Sequence, residues 1–176
     1  MRRRRVQLAA VVAVLGLLGV VAAAVAGGGS RDVREHLTGY EEAPQTLSTT
    51  GFGDLRAKVR DNEIRYRLSY GQLEGDVTQA HIHLGREATT GGVSAFLCSN
   101  VGSPRPTPAC PGPHDGVVEG TITPADVIGP TGQGIGPGEY GELLRAIRAG
   151  ATYANVHSSK YTGGEIRAQI ERGHDR

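Results

Sequence analysis

The chain has 176 residues, 19 of them basic and 18 acidic, which gives a net charge of +1 at neutral pH with 27 glycines, 2 cysteines and no tryptophan. Four of the basic residues are the consecutive arginines at positions 2–5, and without them the remainder carries −3. A mildly acidic remainder with no Lys/Arg block and no interleaving of aromatic and basic residues excludes nucleic acid as an expected partner.

Positions 6–26 contain one polar residue, Gln7, and no charge. A basic start, an apolar run and the small residues Ala24-Val25-Ala26 together read as an export signal with cleavage after Ala26. The run is equally long enough to stay in a bilayer as an uncleaved transmembrane helix, with the arginines holding its start on the cytoplasmic side. Both readings put everything after Gly29 outside the cytoplasm, either secreted or at the cell surface. They confine any membrane contact to residues 6–26. The division is therefore 1–30, signal or anchor with a short polar tether, and 31–176, one domain of ordinary size.

Residues 31–34 belong to that tether, and residues 35–41 read as a weak first strand closed by Ala43-Pro44. In residues 51–60, Leu55, Ala57 and Val59 alternate with charged neighbours, and Ile64, Tyr66, Leu68 and Tyr70 do the same after Asp61-Asn62. Two alternating runs joined by an Asp-Asn turn predict a β-hairpin. Residues 77–85 alternate again: Thr78, Ala80, Ile82 and Leu84 on one face, Gln79, His81 and His83 on the other. Residues 91–99 and 117–122 are further short strands, separated by a proline-rich loop over 103–116. Thr123-Pro124 is a helix-start signal, with Thr as N-cap and Pro in the first helical position. Tyr140, Leu143, Leu144 and Ile147 fall at helical spacing within 139–149, and Gly150 ends that helix. Residues 153–157 and the run of Ile166, Ala168 and Ile170 complete the strands. Strands at this spacing predict an all-β, antiparallel, immunoglobulin-like or Greek-key β-sandwich of six to eight strands, with one short helix in a crossover.

Alternation puts His81 and His83 on one face roughly 6–7 Å apart along the strand, at a rise of ~3.3 Å per residue. Tyr153, Asn155 and His157 share the outward face of a second strand. Three imidazoles brought together could hold zinc or copper. Glu165 would add an oxygen ligand if the closing strands pair beside the His81 strand. The alternative is a polar cluster in which Asn155, Glu165 and backbone groups hydrogen-bond the histidines. Asn155 and Arg167 are expected as supporting residues, with a Glu165–Arg167 ion pair along one strand face. No catalytic residue is assigned, since Ser158 and Ser159 lack a nucleophile-elbow context. A small metalloenzyme, dismutase-like or hydrolytic, is the rival reading of the same face. Cys98 and Cys110, an even pair in an exported domain without CxxC spacing, are expected to form a disulfide. Tyr40, Tyr66, Tyr70 and Tyr153 read as core or sheet-face aromatics.

Three blocks together resemble the CHRD domain, the repeated module of chordin that also occurs singly in bacterial exported proteins. They are Leu37-Thr38-Gly39-Tyr40-Glu41-Glu42-Ala43-Pro44, Ala80-His81-Ile82-His83-Leu84-Gly85, and Asn155-Val156-His157 followed by Gly164-Glu165-Ile166-Arg167-Ala168-Gln169. The resemblance covers roughly residues 34–171. It departs in the link from His157 to Gly164, which lacks an expected proline, in Ala168 where glycine is common, and in the Cys98–Cys110 loop. It implies an extracellular β-sandwich that binds a protein partner, and it implies no enzyme activity.

Overall fold

The computed structural model describes residues 30–171. The arginines at 2–5, the apolar run at 6–26, the cleavage expected after Ala26 and His174 lie outside the described residues. Among the described residues no helix is long and apolar enough to cross a membrane.

The described residues form eight strands: β1 Arg31–Thr38, β2 Phe52–Val59, β3 Ile64–Gly71, β4 Val77–Leu84, β5 Val93–Ser99, β6 Gly116–Ile122, β7 Thr152–Ser158 and β8 Ile166–Ile170. They belong to a single sheet in the order β5-β4-β7-β8-β1-β2-β3-β6, with every neighbouring pair antiparallel. The expected sandwich of two facing sheets is therefore corrected to one sheet curled into a near-barrel. Its end strands approach each other, and the Tyr66 hydroxyl on β3 reaches across the seam to the Leu97 carbonyl on β5 at 2.6 Å. Closure leaves few backbone groups on an open edge. Alternation had marked an inward face correctly on most strands, but it carries no information on whether the opposite wall is a second sheet or the same one returning.

One core fills the interior, built from Leu37, Leu55, Leu68, Ile82, Leu97, Ile122, Val156 and Ile166, each at most 2 % exposed. All eight strands contribute to it, so a chain beginning at Ser30 carries every described strand and this whole core. The single α-helix among the described residues, α1 (Tyr140–Arg148), buries Tyr140, Leu143, Leu144 and Ile147. It lies beside the β2–β3 turn, where the Tyr140 hydroxyl donates to the Arg60 carbonyl at 2.6 Å and Arg148 pairs with Asp61 at 3.0 Å. The helix stops at Gly150, whose φ of 65° is left-handed and whose N–H bonds the Ile147 carbonyl; only glycine adopts that conformation without strain.

The Asp61-Asn62 turn forms as expected, with Val59 opposite Ile64 and the Arg60 N–H on the Glu63 carbonyl. Thr123-Pro124 starts only a 3-10 turn, Pro124–Asp126, closed by a capping box with Asp126. The tether reading of residues 31–34 is wrong: they open β1, which pairs with β2 along its whole length. Of the four inward positions on that strand two are charged, Arg31 and Glu35, and only Val33 and Leu37 are apolar, so alternation was hard to see. Cys98 and Cys110 are bonded, with their Cα atoms 5.0 Å apart.

Candidate metal centre

The site is built by pairing β4 with β7. His81 stands opposite Asn155, His83 opposite Tyr153 and Gln79 opposite His157. Ala80, Ile82, Ala154 and Val156 point into the core, so the intervening histidines project from the outer face, as alternation requires. The register places His157 diagonally across from His81. Its Nε2 lies 3.1 Å from His81 Nδ1. The ring centroids are 5.2 Å apart for His81 and His83, 4.8 Å for His81 and His157, and 5.9 Å for His83 and His157. One nitrogen from each ring lies within 4.8 Å of the others.

This outer face is not open to water. His81 and His83 are 4 % and 7 % exposed. The Phe96 ring of β5 stands edge-on to His81 at 4.4 Å, and the 85–92 loop closes over His83. Tyr153 stacks on His83, with 4.7 Å between centroids and planes 5° apart, and carries the Arg167 guanidinium 3.6 Å from its own centroid. Arg167 in turn donates to the Thr89 and Arg86 carbonyls at 2.9 and 3.0 Å and so fastens the loop.

The hydrogen bonds assign the tautomers. A carbonyl only accepts, so Nδ1 carries the proton in His83, which donates to Gly91 at 3.0 Å, and in His157, which donates to Thr162 at 3.0 Å. His157 Nε2 is then a lone pair, His81 Nδ1 donates to it, and His81 Nε2 is bare. The Nε2 atoms of His81 and His83 are buried with no hydrogen-bond partner. Burial holds all three rings neutral: it pushes His81 down to about 2 and His83 to about 4, and it lowers His157 as well. Neutral imidazole is the form that ligates a metal.

Glu165 stands apart from this cluster. Its carboxylate is fully buried and accepts from the Thr49 hydroxyl at 2.9 Å and the Glu74 N–H at 2.6 Å. The group of potential ligands contains the three histidines alone. The expected Glu165–Arg167 ion pair does not form either. The physical reason is local: β8 begins at Ile166, and Gly164 at φ 134° turns the chain just before it, so Glu165 lies outside the pleat. Asn155 stands opposite His81 but hydrogen-bonds none of the imidazoles, and its side-chain partner is a residue that sequence reasoning passed over. It donates to the carboxyl of Glu42 at 2.6 Å and to the Ile166 carbonyl at 3.2 Å. Burial raises Glu42 to about 7 despite that hydrogen bond and the charge of Arg167. A Cβ at Gly164 would come within 2.5 Å of Asn155 Nδ2 and 2.7 Å of Glu42 Oε1, which makes glycine a steric requirement there. Nothing in the local pattern around Glu42 signals this contact, since its partner is far along the chain. The backbone carbonyls that orient the imidazoles carry no sequence signal at all. Of the tyrosines, Tyr66 and Tyr70 are core, Tyr153 belongs to the site, and Tyr40 is 68 % exposed rather than packed.

A nearly closed eight-stranded antiparallel barrel, with a polar and aromatic cluster sealed between one wall and a covering loop, defines a small all-β module. The chain belongs to the CHRD domain family: the family model matches residues 33–170, which takes in all eight strands but the first two residues of β1. No curated protein and no solved structure matches it.

Proposed function

We propose that the protein is an extracytoplasmic CHRD module, binding or structural in role, that holds a divalent metal ion, zinc or copper, through His81, His83 and His157. The observation that carries this reading is the pair of buried, unpartnered Nε2 atoms on His81 and His83, beside the lone pair of His157 Nε2. An unsatisfied buried polar atom costs about 1–3 kcal/mol, and a metal would engage both bare Nε2 atoms together with His157 Nε2, which would exchange the hydrogen bond it accepts from His81 Nδ1 for the metal. The Gly91 and Thr162 carbonyls supply the outer hydrogen bonds that metal-bound imidazoles usually make. Zinc–nitrogen distances of ~2.0–2.1 Å put tetrahedral ligand nitrogens about 3.4 Å apart, so the cluster would tighten by roughly an ångström. The near-complete burial of His81 and His83 supports holding an ion over turning over a substrate. Membership of a family of extracellular modules supports export, with residues 6–26 either cleaved after Ala26 or kept as an anchor; the mass of the mature protein distinguishes these. The partner is an extracellular protein or the metal itself.

Equilibrium dialysis against zinc and copper tests the reading. One ion per chain is expected at neutral pH, with uptake persisting below the ordinary imidazole value of about 6.5 and falling as pH nears about 4, where His83 takes up a proton. Uptake by the triple variant His81→Ala/His83→Ala/His157→Ala equal to that of wild type would sink it.

A further inference from the structure

The outer face of β1, β2 and β3 carries a charge pattern that the imidazole site does not use. Pairing sets Arg34 opposite Arg56, Arg56 opposite Arg67 and, one row along, Lys58 opposite Arg65. All five side chains are exposed. Like charges placed directly opposite one another destabilise a sheet, so folding alone does not favour this arrangement. Carboxylates answer only part of it. Glu119 bonds Arg67 at 3.0 Å and Glu63 holds Arg65 at 2.9 Å, while Asp32 stands opposite Lys58 without an ion pair. Among the described residues Arg34, Arg56 and Lys58 form no ion pair. The five cations border an open trough of about 360 Å³ floored in part by Tyr66.

We propose that this trough docks the domain onto anionic phosphate headgroups at a bilayer surface. Guanidinium forks match phosphate oxygens in pairs, and four of the five cations are arginines. The chain that precedes the structure points to the bilayer as the source of those phosphates. Its apolar run ends at Ala26, and β1, which carries Arg34, starts at Arg31. The four residues between span at most ~14 Å. A chain held in a bilayer by that run keeps this face beside the headgroups. A soluble polyanion would need no such proximity.

The test uses the chain beginning at Ser30, sedimented with phosphatidylcholine vesicles and with vesicles equimolar in phosphatidylcholine and phosphatidylglycerol. Binding is expected to the anionic vesicles alone, and to weaken with salt as the screening length shrinks from ~10 Å at 0.1 M to ~3 Å at 1 M. Arg34→Gln/Arg56→Gln/Lys58→Gln should lower the partition coefficient about 100-fold. Since all three side chains are exposed, the variant should keep the wild-type circular dichroism spectrum and the wild-type metal uptake, which separates this proposal from the imidazole site. Three results would each overturn it: equal binding of wild type to both vesicle types, undiminished binding by a folded triple variant, or retention on dextran sulfate without vesicle binding. The wild-type comparison decides the matter even if the variant misfolds.

Discussion

His81, His83 and His157 illustrate how burial on an outer sheet face changes the chemistry of a side chain. Exposed on a flat sheet they would titrate near 6.5; under Phe96 and the 85–92 loop they stay neutral far below that. The metal-free protein should therefore lose stability in acid. A histidine whose folded pKa is depressed contributes stability that is fully present above its unfolded value of 6.5. That stability is lost as pH falls from 6.5 toward the folded value, here about 4 for His83 and about 2 for His81. Each of these two contributes a slope of up to about 1.4 kcal/mol per pH unit. Glu42, raised to about 7 from 4.5, acts in the opposite sense: its contribution is complete below 4.5 and fades as pH rises toward 7. Burial raises Glu35 as well, and these two carboxyls together offset only part of three imidazoles. Urea midpoints of the chelated protein should therefore fall between pH ~6.5 and ~4.5, and a midpoint that held or rose over this window would contradict the burial of the cluster.

The elements around the site divide into walls and fasteners. Strands β4 and β7 present the histidines, and their register makes the convergence: a slip of one residue would turn every imidazole into the core. The 85–92 loop is a fastener, held by Arg167, by His83 and by Gln169, whose side-chain amide donates to the Gly85 carbonyl at 3.0 Å. Helix α1 closes the barrel beside the β2–β3 turn, and its Leu143 is fully buried. Leu143→Ala should cost about 2–5 kcal/mol in denaturant titrations, the range for a leucine removed from a packed core. A cost below 1 kcal/mol would mean that the helix rests on the barrel without sealing it. The amphipathic spacing of Tyr140, Leu143, Leu144 and Ile147 announced this helix, because three-to-four periodicity needs no knowledge of what it packs against.

At the scale of the whole molecule, a near-barrel with one core is stapled by one covalent bond. The Cys98–Cys110 loop and the stretch that follows it are also fastened non-covalently: within the loop the Ser99 N–H bonds the Pro108 carbonyl at 2.9 Å, and beyond it the Val77 N–H bonds Pro113 at 2.7 Å and the Tyr70 hydroxyl bonds Pro111 at 2.5 Å. Closing a loop of this size removes about 3 kcal/mol of unfolded-state entropy in the chain model. Reduction, or the double variant Cys98→Ala/Cys110→Ala, should lower the unfolding free energy by about that amount and leave the native circular dichroism spectrum intact. Loss of the fold on reduction would mean that the loop, rather than the sheet, organises the barrel. The charged face of β1–β3 also belongs to this scale. Arg34, Arg56 and Arg67 lie in three separate strands, so a count of charges along the chain beyond Arg5 shows a mildly acidic remainder while strand pairing collects cations on one wall.

By itself the sequence determined what repeats locally: most of the strands, the hairpin turn, the helix and its glycine stop, the disulfide, and the shared outward face of His81 and His83. Each of these follows from side-chain period, from backbone conformations that few residues tolerate, or from cysteine count. Only the tertiary structure decided that the strands close into one sheet, that Arg31 already belongs to a strand, that Glu165 turns away from the histidines, and that Glu42 reaches Asn155. Those outcomes depend on which strand lies beside which and on where the chain bends between them. Such contacts join residues far apart in sequence, and no pattern along the chain encodes the distance between them.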